Sequence, residues 1–128
     1  MLPADWRSPD PSQKLVLLPW PLGAEQFILV LPPARWLAMF ERLNTLSLSS
    51  KEVAAVERVL GSTSAHLGLD GNGRLCLPEA MARQAGITGE VLFLGRLNKF
   101  EIWHPERYAP VQSSDQRLAV TAINSMNL

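Results

Sequence analysis

The sequence predicts a small α+β protein, a mixed β-sheet or barrel with short flanking helices, assembled from two pseudo-repeats. Three observations lead there. Short apolar runs at residues 14–18, 27–31, 91–94 and 99–103 have the length and β-favouring content of buried strands. Between and beside them lie stretches whose apolar residues recur at helical intervals. Finally, Val30-Leu31-Pro32-Pro33-Ala34-Arg35-Trp36 and Ile102-Trp103-His104-Pro105-Glu106-Arg107-Tyr108 repeat one pattern of strand, proline, one residue, Arg and aromatic at an offset of 72, which suggests two related halves.

The elements follow in order. Residues 1–13 hold Pro3, Pro9 and Pro11 among polar residues and read as an extended arm. The run at 14–18 is bounded by Pro19 and Pro21, and the run at 27–31 is stopped by Pro32-Pro33; both read as strands. From Ala34, Trp36, Leu37, Phe40 and Leu43 form a helical stripe that can begin just after proline, which the first turn of a helix tolerates. Ser49 with Glu52 forms a capping box ahead of Val53, Val56, Val59 and Leu60, which predicts a helix over roughly residues 49–60, with Gly61 at its end.

Short strands at 65–69 and 75–77 flank Asp70-Gly71-Asn72-Gly73-Arg74, whose Asp-Gly and Asn-Gly steps are strong hairpin signals. Residues 78–86 suit one compact helix with Pro78 at its start and Gly86 as C-cap. Strands at 91–94 and 99–103 are joined by Gly95-Arg96-Leu97-Asn98, and beyond Tyr108 the polar chain without strong periodicity is expected to fray. The apolar run ending at Pro19 resembles the one ending at Pro78, at an offset of 59 rather than 72. Thirteen residues are therefore expected to be absent from the first half, between Pro19 and Phe27.

Composition narrows the function. The 128 residues make one domain or two very small ones, which excludes a multidomain enzyme, and 47% apolar with 19% charged residues excludes a wholly disordered chain. Twelve Lys and Arg balance twelve Asp and Glu, so binding of DNA or anionic lipid by bulk attraction is excluded and any such binding is local or collective. Cys76 stands alone, and with only His66 and His104 beside it no usual zinc set exists, so a reducing compartment and no metal or cofactor are expected. No signal peptide and no membrane helix is evident, which predicts a cytoplasmic protein.

The second half resembles the MraZ family of bacterial transcriptional regulators, whose repeats belong to the AbrB-like swapped-hairpin class. The residues that carry it are Val56-Glu57-Arg58-Val59-Leu60-Gly61, Asp70-Gly71-Asn72-Gly73-Arg74, Leu77-Pro78, Ala85-Gly86-Ile87-Thr88, Glu90-Val91 and Asn98-Lys99-Phe100-Glu101-Ile102-Trp103. A weaker likeness runs through Trp36 and the helix after it. The resemblance implies a division into an abbreviated first repeat at 1–48, a second repeat at 49–112 and a polar tail at 113–128. It also implies that the Asp-x-x-x-Arg motif at each hairpin faces DNA. Asp70 and Arg74 match the motif; in the first half the candidates are Asp10 to Lys14, with Lys for Arg, or Pro11 to Leu15.

The motif has a physical rationale of its own. Arginine can grip guanine O6 and N7 through two parallel hydrogen bonds, whereas lysine is a point charge suited to phosphate. Asp70, an anion, would accept backbone N–H groups of the turn or orient Arg74, and Gly71 and Gly73 would let the turn approach a phosphate closely. The DNA contacts that the resemblance implies are Arg74, Lys14, Asp70, Gly71 and Gly73, with Arg96 and Lys99 as supporting phosphate contacts.

Each residue also has a plainer reading. Asp70 to Arg74 taken alone is a surface hairpin; a calcium loop is excluded because Arg74 stands at its fifth position and Met81 at its twelfth. His66 and His104 read as strand or surface residues, and Cys76 as a small core residue. Glu101 is expected to pair locally, with the Trp103 indole at a repeat or subunit boundary. Lys14, Arg35, Arg58, Arg83, Arg96, Lys99 and Arg107 read individually as solvated cations. No nucleophile, base and orienting acid appear together.

The leading expectation is a non-enzymatic DNA-binding regulator. The resemblance implies a ring-like homo-oligomer, cytoplasmic and nucleoid-associated, that reads repeated promoter sites in double-stranded DNA near division and cell-wall genes, with no membrane or small-molecule partner. The alternative is a diverged assembly or modulator protein that keeps the oligomer but has lost specific DNA binding.

Overall fold

The computed structural model describes residues 14–21, 26–70 and 74–126. Two strands, β1 (Leu15–Trp20) and β2 (Phe27–Leu31), lead into helices α1 (Pro33–Leu43) and α2 (Ser50–Thr63). A short strand β3 (Ala65–Leu67) and helix α3 (Glu79–Gln84) follow, then β4 (Leu92–Gly95), β5 (Phe100–Trp103) and the terminal helix α4 (Pro105–Ser125). This is an α+β fold. Its one five-stranded sheet, ordered β3-β1-β2-β5-β4, is antiparallel at every pairing, which is narrower than the mixed sheet or barrel expected.

The unbroken apolar runs are explained by burial on both sides. Leu15, Leu17, Ile28, Val30, Phe100 and Ile102 face α3, where Met81, Ala85 and Ile87 close one core. Their alternate neighbours Val16, Leu18, Phe27, Leu29, Leu31 and Trp103 face a second core with Leu60 of α2, Trp36, Met39 and Phe40 of α1, and Tyr108 and Val111 of α4. A strand covered on both faces has no polar alternation, so it reads as a continuous run.

The offset of 72 has a structural meaning. β2 and β5 pair at Ile28↔Ile102, Leu29↔Glu101 and Val30↔Phe100. Advancing each β2 residue by 72 gives Phe100, Glu101 and Ile102, so the pairing maps onto itself when the halves are exchanged. The β2–β5 junction is thus a local pseudo-twofold axis through Leu29 and Glu101. Each of these strands runs through a proline into a helix, α1 or α4.

This register corrects the missing-segment expectation. β1 closes on β2 through Trp20↔Phe27 as β4 closes on β5 through Gly95↔Phe100, so the counterpart of β1 is β4 and not residues 75–77. The thirteen-residue gap between Pro19 and Phe27 is not there. An apolar run ending in proline is too general a pattern to define equivalence, whereas strand register is specific. Counterparts of β3 and α3 would precede β1, and residues 1–13 lie outside the described ones.

Three further expectations change. Residues 75–77 join no strand ladder: Leu75 and Leu77 pack on the α3-side core while Cys76 points out, so Cys76 is exposed rather than a core residue. Pro78 lacks the N–H that would extend a ladder there. The chain beyond Tyr108 does not fray, because α4 runs to Ser125 and crosses the expected boundary at 113. Pro105 starts it, and His104 caps it by accepting the Glu106 N–H on Nδ1 at 3.1 Å. Its periodicity is weak because no residue of α4 is fully buried, and past Val111 none packs on the core; a helix without a buried face needs no apolar stripe.

Helix α2 carries the expected capping box, with Glu52 N–H donating to Ser49 Oγ at 3.1 Å and Ser49 N–H to Glu52 Oε1 at 3.2 Å. It runs through Gly61 instead of ending there. Space around a Cβ at Gly61 is empty, so Gly61→Ala should stabilise the protein by about 0.5–1 kcal/mol, measured by urea unfolding, because alanine loses less backbone entropy in a helix.

Gly86 behaves oppositely. The Ile87 N–H donates to Ala82 C=O at 2.8 Å and the Gly86 N–H to Arg83 C=O at 3.0 Å, the bonding of a Schellman stop, with Gly86 at φ 72°. A Cβ there would stand 2.8 Å from Arg107 Nη2. Gly86→Ala should cost about 2 kcal/mol from the left-handed backbone alone, with further loss as Arg107 is displaced.

Candidate nucleic-acid interface

Strand register brings the expected contacts to one end of the sheet. Lys14 lies one residue beyond the Leu15↔Leu67 pair of β1 and β3, and Asp70 follows Leu67 by three residues. Lys99 lies one residue beyond the Val30↔Phe100 pair, at the same end, because β2 reaches that end at Leu31 opposite Val16. The β3 turn and the β4–β5 turn thus occupy opposite edges of this end, four strand spacings or about 19 Å apart, with Lys14 between them.

The local geometry at the β3 turn pins the backbone of Arg74. The Asp70 N–H donates to Arg74 C=O at 2.9 Å, and the Arg74 N–H donates to Asp70 Oδ1 at 2.8 Å. A short carboxylate that accepts backbone N–H groups holds a turn closed, so the anion serves the loop and leaves the arginine side chain outside it. Arg74 is exposed, and its guanidinium makes no ion pair among the described residues. Gly71 and Gly73 lie outside the described residues, as do Asp10 and Pro11.

The two supporting candidates are not equivalent. Arg96 Nη1 donates to Glu101 Oε2 at 3.0 Å in an ion pair, and Glu101 Oε1 accepts the Trp103 indole N–H at 2.7 Å. Glu101 is only 7% exposed, and these two donors give each of its carboxylate oxygens a partner, with Arg96 as its ion-pair partner. Lys99 is half-buried and has no carboxylate partner among the described residues. The Trp103 ring stacks on Phe27 of β2 at 4.6 Å, which places the indole at the boundary between the halves, as expected for this pair.

Other cations are likewise engaged. Arg107 Nη1 donates to the Gln26 and Gln84 carbonyls at 3.3 and 3.2 Å, tying α4 to the end of α3. Arg35 donates to Asn98 from Nε at 3.3 Å and Nη2 at 2.8 Å, with the amide oxygen turned towards it. Arg35 is thus not the solvated cation its sequence setting suggests, because the Asn98 contact joins residues far apart in sequence and has no local signal. Tyr108 donates to Asp115 Oδ2 at 3.2 Å, and desolvation followed by that carboxylate pushes its phenol above the ordinary value. Among the described residues no group of His, Cys, Asp and Glu could hold a metal ion, and no helix is long and apolar enough to cross a membrane.

Two strand–proline–helix units exchanged by a local axis, with an arginine-bearing Asp-x-x-x-Arg turn beside them, define a small α+β repeat protein. Comparison with known proteins is specific. Residues 61–126 match the profile of the family described as "MraZ protein, putative antitoxin-like". The protein named transcriptional regulator MraZ in Finegoldia magna is 33% identical over 86 residues, 67% of this chain and 60% of that protein. Its namesake in Tolumonas auensis is 34% identical over 85 residues, 66% of this chain and 56% of the relative. That of Geotalea uraniireducens is 36% identical over 93 residues, covering 70% and 58%. The chain belongs to the MraZ family, and it spans somewhat under two thirds of the length of these relatives.

Proposed function

We propose that this protein is a sequence-specific DNA-binding regulator of transcription that acts as a homo-oligomer without enzymatic activity. The observation that carries the reading is Arg74: exposed, unpaired among the described residues, and set on a turn whose backbone Asp70 holds from both sides. In this reading Arg74 contacts base edges, Lys14 and Lys99 supply phosphate attraction, and Asp70 with Gly71 and Gly73 shapes the turn. The relatives' printed name supports regulation. The family resemblance supports a ring acting on repeated promoter sites near division and cell-wall genes, in the cytoplasm and at the nucleoid.

With zero net charge, one subunit should bind weakly, and several held together gain avidity of order 10² to 10⁴ when their spacing matches the sites. The repeat at 49–112 carries the Arg-bearing turn; in the unit at 1–48, Lys14 leads directly into β1, so it adds a cation at this end of the sheet without being the counterpart of Arg74. Titrating fluorescent duplex DNA carrying repeated sites, at several salt concentrations, tests this. A regulator gives specific binding that weakens linearly in log salt; equal, weak binding to random duplex rejects it.

A second reading has its own observation. Leu118 and Ile123 of α4 are 67% and 51% exposed on a helix that packs on nothing past Val111 among the described residues. That surface suits an assembly or modulator protein that has lost specific DNA binding. Such a protein would give an oligomer by light scattering and no specific complex in the titration.

A further inference from the structure

The pseudo-twofold axis relates two clefts, one on each side of the β2–β5 junction, and their charges differ. One lies under α4 and contains Glu101, Asp115, Arg96, Phe27 and Trp103. Its mate lies under α1, with a volume of about 270 Å³, and is lined by Trp20, Leu29, Met39, Arg35, Arg42 and Lys99. The offset that takes β2 onto β5 puts Leu29 where the α4 cleft has Glu101. The carboxylate that neutralises the arginine of the first cleft is therefore an apolar residue in the second. Arg35, Arg42 and Lys99 border one concavity, and none has a carboxylate partner among the described residues. In a chain of zero net charge this is a local concentration of three cations.

The topology orders them along the groove. Arg35 and Lys99 sit at the end where β2 enters α1, linked there by the Arg35–Asn98 contact. Arg42 comes seven residues later, two helical turns or about 10 Å along, towards Trp20 at the far end of β1. Leu29 and Met39 form an apolar floor between the two ends. Cations at one end, an aromatic ring with a further guanidinium at the other, and an apolar floor suit a short amphipathic anion. A DNA duplex presents a convex, fully hydrated backbone and does not enter such a concavity.

We infer that the α1 groove, lined by Arg35, Arg42, Lys99 and Trp20, binds a small phosphorylated ligand with a planar ring, of the nucleoside monophosphate class. Its phosphate lies between Arg35 and Lys99, and its ring lies against Trp20 and Arg42. The groove shares Lys99 with the proposed DNA surface but not Arg74, so Arg42 and Trp20 report on the groove alone and Arg74 on the turn alone.

The full-length chain tests it by nuclear magnetic resonance. The Trp20 indole N–H resonance, assigned by its loss in Trp20→Phe, is followed as adenosine monophosphate, adenosine or inorganic phosphate is added at low salt. Expected are saturable shifts of Trp20 with the monophosphate, weaker binding of phosphate alone, and none with adenosine. Arg42→Gln and Lys99→Gln should each weaken monophosphate binding about tenfold, the loss of one charge-assisted contact, with dispersed spectra reporting intact folds, while Arg74→Ala leaves it unchanged. No Trp20 shift at millimolar monophosphate, equal binding of adenosine, or shifts produced only by random duplex DNA would overturn the inference.

Discussion

Leu17→Ala is expected to lower the stability of the protein by about 2–5 kcal/mol, the range for a buried leucine truncated in a packed core. Leu17 has 0% exposure, and on β1 it lies between Val30 of β2 and Ala65 of β3. Its side chain points into the core closed by α3, where Ile28, Val30 and Ile102 surround the same layer. These central strands hold their neighbours through the sheet ladder on both sides, so little can collapse into the space left behind. For a chain of this size such a loss approaches the whole of the stability usually available. Urea unfolding followed by tryptophan fluorescence measures it, and a loss below about 1 kcal/mol would mean that the sheet centre is not the rigid part of the fold.

Which parts of this architecture were legible follows from what each residue must satisfy locally. Ser49 and Glu52 announce α2 because a capping box is a contact within four residues, and Gly86 announces the end of α3 because the stop requires positive φ. The runs 14–18 and 27–31 were legible because both sheet faces are covered. Long-range pairing was less so. The echo at offset 72 was visible in sequence, but that it marks an axis through Leu29 and Glu101 emerges only from the register. The assignment of β1 to the counterpart of residues 75–77 failed because proline ends strands of any kind. The helix beyond Tyr108 was hidden since only Val111 packs on the core and residues 112–125 are all exposed, and periodicity is a record of burial.

At the candidate interface the same division holds. The Asp70–Arg74 turn was legible because its residues hydrogen-bond each other across four positions. The engagement of Arg96 by Glu101 could have been inferred from their spacing across a tight hairpin, where ends of the turn come together. The basic groove under α1 had only a faint trace, Arg35 and Arg42 seven apart on one helix face, and needed Lys99 from β5's leading turn to become a site.

The second large effect is expected at Arg74. An arginine that grips a guanine edge with two hydrogen bonds contributes about 1–3 kcal/mol of discrimination, and in an oligomer that engages two or more subunits this loss recurs in each. Arg74→Ala should therefore reduce affinity for a repeated site by about 30-fold to 10⁴-fold. Folding should be unaffected, because the side chain is exposed and the turn is held through backbone groups that alanine retains. Arg74→Lys should preserve the phosphate attraction and lose the planar grip, so that affinity for random duplex survives while preference for the site falls.

The most direct measurement is thus the binding of Arg74→Ala and Arg74→Lys, beside the unaltered chain, to repeated-site and random duplexes over a range of salt. A DNA-reading turn predicts that Arg74→Ala loses the preference for the repeated site and lowers the salt slope by about one per engaged subunit, while Arg74→Lys keeps the slope and loses the preference. If all three proteins bind the repeated site with the same affinity and the same slope, the Asp70–Arg74 turn does not read DNA.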